Sequence, residues 1–141
     1  MKIKDVMTPG AETIGPDAKL TDVARKMKEL DVGVLPVVDD SRVLGVVTDR
    51  DLVVRGLAED GAGRNPVREV MSGEAKTCAE QDDLTQAAKL MEQHQIRRLV
   101  VTDEQGSVSG MLSLGDLADK AKDPAVVEIF KAVSQPAEPR R

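Results

Sequence analysis

Two short spacings in the chain place a hydroxyl three residues ahead of a carboxylate. They are Thr48-Asp49-Arg50-Asp51 and Ser113-Leu114-Gly115-Asp116. A carboxylate carries two acceptor oxygens, which match the two hydroxyls of a vicinal diol. A hydroxyl at a helix start stands beside free N–H groups and the positive end of the helix dipole, where phosphate is favoured. The same spacing is also a capping box, in which the two side chains satisfy each other's backbone N–H groups. On the residues alone both readings stand. Other chemistry has less to build on. His94 and Cys78 are the single histidine and the single cysteine. A structural zinc takes four ligands, so that pair would need carboxylates or a second subunit to complete a site. One histidine limits general-base options, no Ser/His/Asp set stands out, and the acidic residues show no paired-carboxylate spacing. The chain is therefore not expected to be an enzyme.

The elements that must position these residues are written twice. Val6-Met7 recurs as Val70-Met71, 64 positions later, and Thr13, Leu20-Thr21, Ala24 and Met27 recur as Thr77, Leu84-Thr85, Ala88 and Met91. Leu35, Val37 and Asp39 match Leu99, Val101 and Asp103 at the same shift. Past Asp103 the shift becomes 65, so that Gly45 matches Gly110 and Asp51-Leu52 matches Asp116-Leu117. The extra residue falls in the polar stretch Asp103-Glu104-Gln105-Gly106-Ser107, where a loop absorbs it at little cost. Each copy begins with an extended segment, near Thr13 in the first. Leu20, Val23, Ala24, Met27 and Leu30 follow at helical spacing, with Pro16-Asp17 as the start signal. Val34 to Val38 and Val43 to Val47 read as a hairpin around Asp39-Asp40-Ser41-Arg42, and a second helix runs from about Thr48 to Leu57. The expected fold is mixed α+β: strand, helix, strand, strand, helix, twice, packed with pseudo-two-fold symmetry. A single copy of about 55 residues buries too little surface to stand comfortably alone.

These matches divide the chain into repeat 1 (3–59), a linker (60–66), repeat 2 (67–122) and an appended helix and tail (123–141). On the appended helix Val126, Ile129, Phe130 and Val133 form an apolar stripe, which the spacing predicts to pack against a second subunit. Phe130 is the one aromatic residue, so the core must come from Val, Leu, Ile, Ala and Met. Both charge signs are mixed along the sequence, the net charge is -5 and the pI is near 5.0. Without clustered Lys and Arg to release counterions, nucleic-acid binding is not expected. No apolar run reaches the roughly 18 residues that span a bilayer, and no apolar segment follows the basic N-terminus. One cysteine forms no internal disulfide, which fits a reducing compartment. The expectation is a cytoplasmic protein with no membrane partner.

At this point the pattern resembles the CBS-domain pair, or Bateman module, over about residues 3–122. The most specific element is Gly45-Val46-Val47-Thr48-Asp49-Arg50-Asp51, with Gly110-Met111-Leu112-Ser113-Leu114-Gly115-Asp116 as its second copy. Val34-Leu35-Pro36-Val37-Val38-Asp39 is similar to the family's first hairpin strand, and the chain looks like the small bacterial stand-alone members. The resemblance implies a regulatory role, in stress responses among others, with an adenosine nucleotide such as AMP, ADP or ATP bound in a cleft between the repeats. It implies that Asp51 and Asp116 accept hydrogen bonds from the ribose diol and that Thr48 and Ser113 contact phosphate. Main-chain groups of Val32, Gly33, Val34 and Pro36, and of Ile96 to Val100, would hold adenine. The implied ligand set also takes in Thr13, Arg50 and Thr77.

The second copy departs from the pattern: Val100 stands in place of the usual Pro, and Thr102 in place of an apolar residue. The site around Thr48 and Asp51 is therefore expected to bind better than that around Ser113 and Asp116. Arg97 and Arg98 stand where the first copy has Gly33 and Val34, and fit either a phosphate or a surface or subunit ion pair. The family commonly forms dimers through helices, so a homodimer is expected. With no effector domain in the chain, an unidentified effector would be regulated in trans. Two rival readings are a ligand-free dimerisation or interaction protein and, more remotely, a metal-binding CBS protein.

Overall fold

The computed structural model describes residues 1–59, 63–73, 76–120, 124, 127–128 and 131. It contains two compact units, Ala11–Ala75 and Met1–Gly10 with Lys76–Arg141. Each unit thus combines the body of one repeat with the leading segment of the other.

In the unit Ala11–Ala75, helix α1 (Leu20–Leu30) precedes a hairpin of β2 (Val34–Asp39) and β3 (Arg42–Thr48). The expected second helix exists in two parts: α2 (Asp49–Asp51) passes directly into a wider π-helical segment, Leu52–Leu57. Asp40 and Ser41 both take positive φ, 47° and 66°, giving the two-residue turn that suits the twist of a tight hairpin. The helix face is narrower than its spacing predicts. Leu20, Val23 and Met27 are buried, whereas Ala24 is exposed and Leu30 is 40% exposed. These three residues pack with Ile14, Leu35, Val37, Val47, Val67 and Val70 into a wholly aliphatic core.

The other unit repeats this plan as β4 (Thr77–Ala79), α3 (Leu84–His94), β5 (Arg98–Thr102), β6 (Val108–Ser113) and α4 (Leu114–Lys120). A short β1 (Thr8–Pro9) joins it, making a four-stranded sheet in the order β1-β6-β5-β4. The inserted residue lies in the β5–β6 loop, as the shift in the repeat requires. There Gly106 has φ 81°, and Asp103 Oδ1 accepts from the N–H groups of Gln105 at 2.9 Å and Ser107 at 3.0 Å. The core is again aliphatic, built around Ile3, Val6, Met91, Leu99, Val101 and Leu112.

The leading segments have the same job in both units. A 3₁₀ turn at Ile3–Asp5 buries Ile3 and leads to buried Val6; one at Val67–Glu69 buries Val67 and leads to buried Val70. Each segment then runs against the last hairpin strand, β1 along β6 and Ser72 against Val46. This approach explains the glycine of the repeated motif. A Cβ at Gly45 would collide with the Ser72 carbonyl, and one at Gly110 would stand 2.5 Å from the Thr8 carbonyl oxygen. Part of the expected linker is structured too. The carbonyls of Asn65 and Gly63 accept from the first N–H groups of α1, Leu20 at 3.2 Å and Thr21 at 3.2 Å. That explains how α1 starts after Lys19 without a side-chain cap. At the equivalent place in α3, Asp83 and Gln86 form a capping box, and hydrogen bonds from Thr85 hold the Asp83 carboxyl below its usual range.

The first strand differs between the units for a reason written in two prolines. In the second copy the N–H groups of Val100 and Glu80 bond the carbonyls of Lys76 (3.3 Å) and Thr102 (2.9 Å), extending the parallel pairing of β4 with β5. Their counterparts are Pro36 and Pro16, which have no N–H to give. The extended segment near Thr13 is accordingly reduced to one bridge, Ile14 to Val37, with hydrogen bonds of 3.0 and 2.8 Å. The Val126, Ile129, Phe130 and Val133 stripe lies outside the described residues, so its expected subunit contact is not addressed by the structure.

Candidate functional site

The two hydroxyl–carboxylate pairs sit at the junction of the last hairpin strand with the following helix. In the first, the Thr48 N–H donates to Asp51 Oδ2 at 2.9 Å and the Asp51 N–H donates to Thr48 Oγ1 at 3.1 Å. In the second, the Ser113 N–H donates to Asp116 Oδ2 at 2.9 Å and the Asp116 N–H to Ser113 Oγ at 3.1 Å. Both are reciprocal capping boxes. Capping leaves much of each pair's capacity unused. Asp51 Oδ1 and Asp116 Oδ1 accept no hydrogen bond among the described residues, and the two hydroxyls act there only as acceptors. All four residues are half-buried. Each junction therefore presents a fixed carboxylate oxygen and a hydroxyl proton on one rigid turn.

The strand that starts each hairpin lies alongside. Val34 pairs with Thr48 across β2 and β3, and Arg98 pairs with Ser113 across β5 and β6. One residue earlier, the Gly33 carbonyl accepts from the Asp49 N–H at 3.0 Å, and the Arg97 carbonyl accepts from the Leu114 N–H at 2.8 Å. One residue earlier again, the N–H groups of Val32 and Ile96 close the preceding helices onto the carbonyls of Met27 and Met91, at 3.0 Å each. Strand start and helix start are tied together in the same way twice. Of the sequence candidates, Val32, Gly33, Val34, Thr48, Arg50 and Asp51 are gathered at one junction, and Ile96, Arg97, Arg98, Ser113 and Asp116 at the other. Arg50, Arg97 and Arg98 are exposed and make no ion pair among the described residues.

Three candidates lie further away along the sheet. Pro36 is buried opposite Val46, two residues along β2. Thr77 pairs with Val100 on the edge of β5 opposite to β6. Thr13 precedes the bridge to Val37, and its carbonyl accepts from Lys26 Nζ at 2.9 Å. Two residues escaped the sequence reading. Lys26 also lies 3.3 Å from the Glu12 carboxylate and so anchors the segment before Ile14. Asp49 occupies a variable position of the motif, so no pattern marks it, yet its Oδ2 stands 3.1 Å from where a Cβ on Gly33 would be.

The metal candidates do not converge. His94 is exposed at the end of α3, whereas Cys78 is buried in β4, where burial first and the nearby Asp82 second push its thiol up to about 12. Metals bind the thiolate, which that environment disfavours. Among the described residues no three His, Cys, Asp or Glu side chains group as metal ligands, and no helix is long and apolar enough to cross a membrane.

Comparison with known proteins accords with this geometry. The CBS domain model matches residues 3–56 and 67–123. The CBS domain-containing protein YhcV of Bacillus subtilis is 41% identical over 116 residues, 82% of either chain. A crystal structure of Hypoxic Response Protein I with two coordinated zinc ions superposes with a TM-score of 0.74 at 31% identity, covering 84% of this chain and 97% of that one. CBSX2 in complex with AMP superposes with a TM-score of 0.70 at 28% identity, covering 83% and 93%. Two matched repeats, the glycine that admits the leading segment in each, and the twice-built strand–helix junction place this chain in the CBS-domain family.

Proposed function

We propose that the protein is a regulatory module that binds an adenine nucleotide, of the AMP, ADP or ATP type, and signals to a separate effector. The observation that carries this reading is the free Oδ1 of Asp51 and of Asp116, each held in place by the capping hydrogen bond to Oδ2 of the same carboxylate. A ribose diol offers two hydroxyl donors, and a pre-oriented carboxylate accepts them without having to be ordered first. In this reading Thr48 and Ser113 donate to phosphate, and the backbone around Val32–Val34 and Ile96–Arg98 holds the base. The AMP complex of CBSX2 supports the choice of ligand class. Signalling follows if the nucleotide favours one of two states of the module. A thermal-shift panel tests the reading: a nucleotide at 100 times its dissociation constant adds about 2.7 kcal/mol, several degrees for a domain of this size. Absence of a shift with AMP, ADP and ATP at millimolar concentration refutes it.

A second reading, a dimerisation module without a ligand, is favoured by one feature. On the π-helical segment Val53, Val54 and Leu57 are 57%, 50% and 71% exposed. Their repeat counterparts Val53→Ala118 and Val54→Asp119 are a small and a charged residue. In this reading a second copy covers the segment and forms the homodimer. Sedimentation of wild type and of Leu57→Glu tests it: a wild-type monomer, or a mutant as dimeric as the wild type, counts against it.

A further inference from the structure

We infer that Lys26 is a positioning residue for the nucleotide half built around Thr48 and Asp51, because it holds by charge a segment that the other half holds by sheet pairing. The inference rests on the nucleotide-binding reading and adds to it which residue keeps one edge of that site in place. The edge is the outer side of β2. Ile14 bridges Val37 in parallel, its N–H donating to the Pro36 carbonyl at 3.0 Å and its carbonyl accepting from the Val38 N–H at 2.8 Å. Pro36 and Val38 thus turn their backbone groups outward, and Val34, two residues before Pro36, turns its own the same way. Those Val34 groups belong to the backbone assigned to the base. The register that sets Ile14 beside Val37 sets Thr13 beside Pro36 and Glu12 beside Leu35, so this segment borders the base-holding stretch.

Among the described residues no strand pairing keeps Glu12 and Thr13 there. Pro16 and Pro36 lack the N–H groups that Glu80 (2.9 Å) and Val100 (3.3 Å) donate in the other unit, where Thr77–Ala79 pairs along β5. Between Gly10 and Ile14 the segment's hydrogen bonds and ion pairs among the described residues go to Lys26. Its Nζ donates to the Thr13 carbonyl at 2.9 Å and lies 3.3 Å from the Glu12 carboxylate. An ammonium has three donors and no acceptor, so one group serves both oxygens. Lys26 reaches out from α1, whose Val23 and Met27 are buried in the core and fix the helix it stands on. Its repeat counterpart, Leu90, carries no charge and packs against the core of its own unit, as a segment already paired in a sheet allows. The lysine therefore stands in for the missing ladder, and in one half alone.

The test is calorimetry on the full chain with adenosine and AMP, joined to amide hydrogen exchange. In an Asp116→Ala background only the first junction keeps its ribose acceptor, and in an Asp51→Ala background only the second. In the first background Lys26→Met, which keeps the stem and removes the charge, should lower the affinity for both compounds about tenfold, the scale of a lost charged hydrogen bond. Lys26→Arg should stay within about threefold of its parent, and Glu12→Gln should cost about two- to threefold, since that partner is exposed. In the second background Lys26→Met should change neither affinity by more than about twofold. Exchange at the Ile14 and Val38 amides should quicken about tenfold or more in Lys26→Met, while the Glu80 and Val100 amides keep their rates. A loss for AMP without a loss for adenosine would make Lys26 a phosphate contact and overturn the positioning role. Equal losses in the two backgrounds, or unchanged exchange at Ile14, refute it as well and leave the nucleotide reading standing. If the wild type binds neither compound, both fall.

Discussion

Replacing Asp51 by asparagine separates the two uses of its carboxylate. In the structure Oδ2 receives the Thr48 N–H at 2.9 Å, while Oδ1 receives nothing among the described residues. Asparagine keeps one carbonyl oxygen, which can stay on the Thr48 N–H, and the return bond from residue 51 to Thr48 Oγ1 is a backbone donor that the substitution does not remove. The capping box therefore survives with a neutral acceptor, and the change in folding stability should stay within about 0.5 kcal/mol, less than the roughly 0.5–2 kcal/mol of a lost cap. The free position changes in kind: an acceptor oxygen becomes an amide that only donates, facing ribose hydroxyls that must now find another partner. Loss of a hydrogen bond to a charged group costs about 1.5–3 kcal/mol, a tenfold to hundredfold drop in AMP affinity. Thr48→Ala supplies the contrast, because it removes the cap acceptor and should lower stability by about 1 kcal/mol. Urea denaturation and calorimetry with AMP, on both variants, read the two effects independently. If Asp51→Asn loses about 1 kcal/mol of stability and binds AMP like wild type, the residue is a cap and the ribose assignment is wrong.

Further outcomes follow from other parts of the structure. Gly45→Ala must push the Ser72 segment away from Val46 and break two backbone hydrogen bonds of 3.1 and 2.9 Å. At roughly 1 kcal/mol each this lowers stability by about 2 kcal/mol in urea melts, and a loss below about 0.5 would show that the approach is not tight. Asp31 ends α1 with φ 54°, so Asp31→Gly should raise the urea midpoint by an amount equivalent to about 0.5–1 kcal/mol, relief of the left-handed strain minus the added freedom of the unfolded chain; a decrease would contradict the strain. The Cys78 thiol is raised from 9.0 to about 12 in the folded state, so its contribution is complete below pH 9 and is lost as pH rises through that window. From pH 9 to 10 wild type should lose about 1 kcal/mol more than Cys78→Ala, and parallel pH profiles would exclude a buried neutral thiol.

The repeat, its single inserted residue and the hairpins were readable because they are local. Periodicity marks helices and strands, and a matched pair of copies checks each assignment against the other. Val34–Asp39 is longer than the expected strand by one residue at one end, and Arg42–Thr48 by one residue at each end. The capping reading of Thr48/Asp51 and Ser113/Asp116 was equally legible, since a box needs only four consecutive residues. Spacing alone predicts too wide a helix face, because it treats Ala24 and Leu30 like Val23 and Met27.

What the sequence by itself determined is the family, the doubled element order and the two places where a hydroxyl and a carboxylate meet at a helix start. Tertiary structure decided the rest. That residues 1–10 complete the unit of the second repeat, and 66–72 that of the first, depends on pairing across the chain, which no local pattern encodes. The difference between a three-residue strand at Thr77–Ala79 and a single bridge at Ile14 emerges only when Pro16 and Pro36 are seen to stand where Glu80 and Val100 donate N–H groups between strands. Which of two adjacent arginines shares a face with Ser113 is a matter of sheet register: a shift of one residue would exchange Arg97 for Arg98, and only the paired strands fix it.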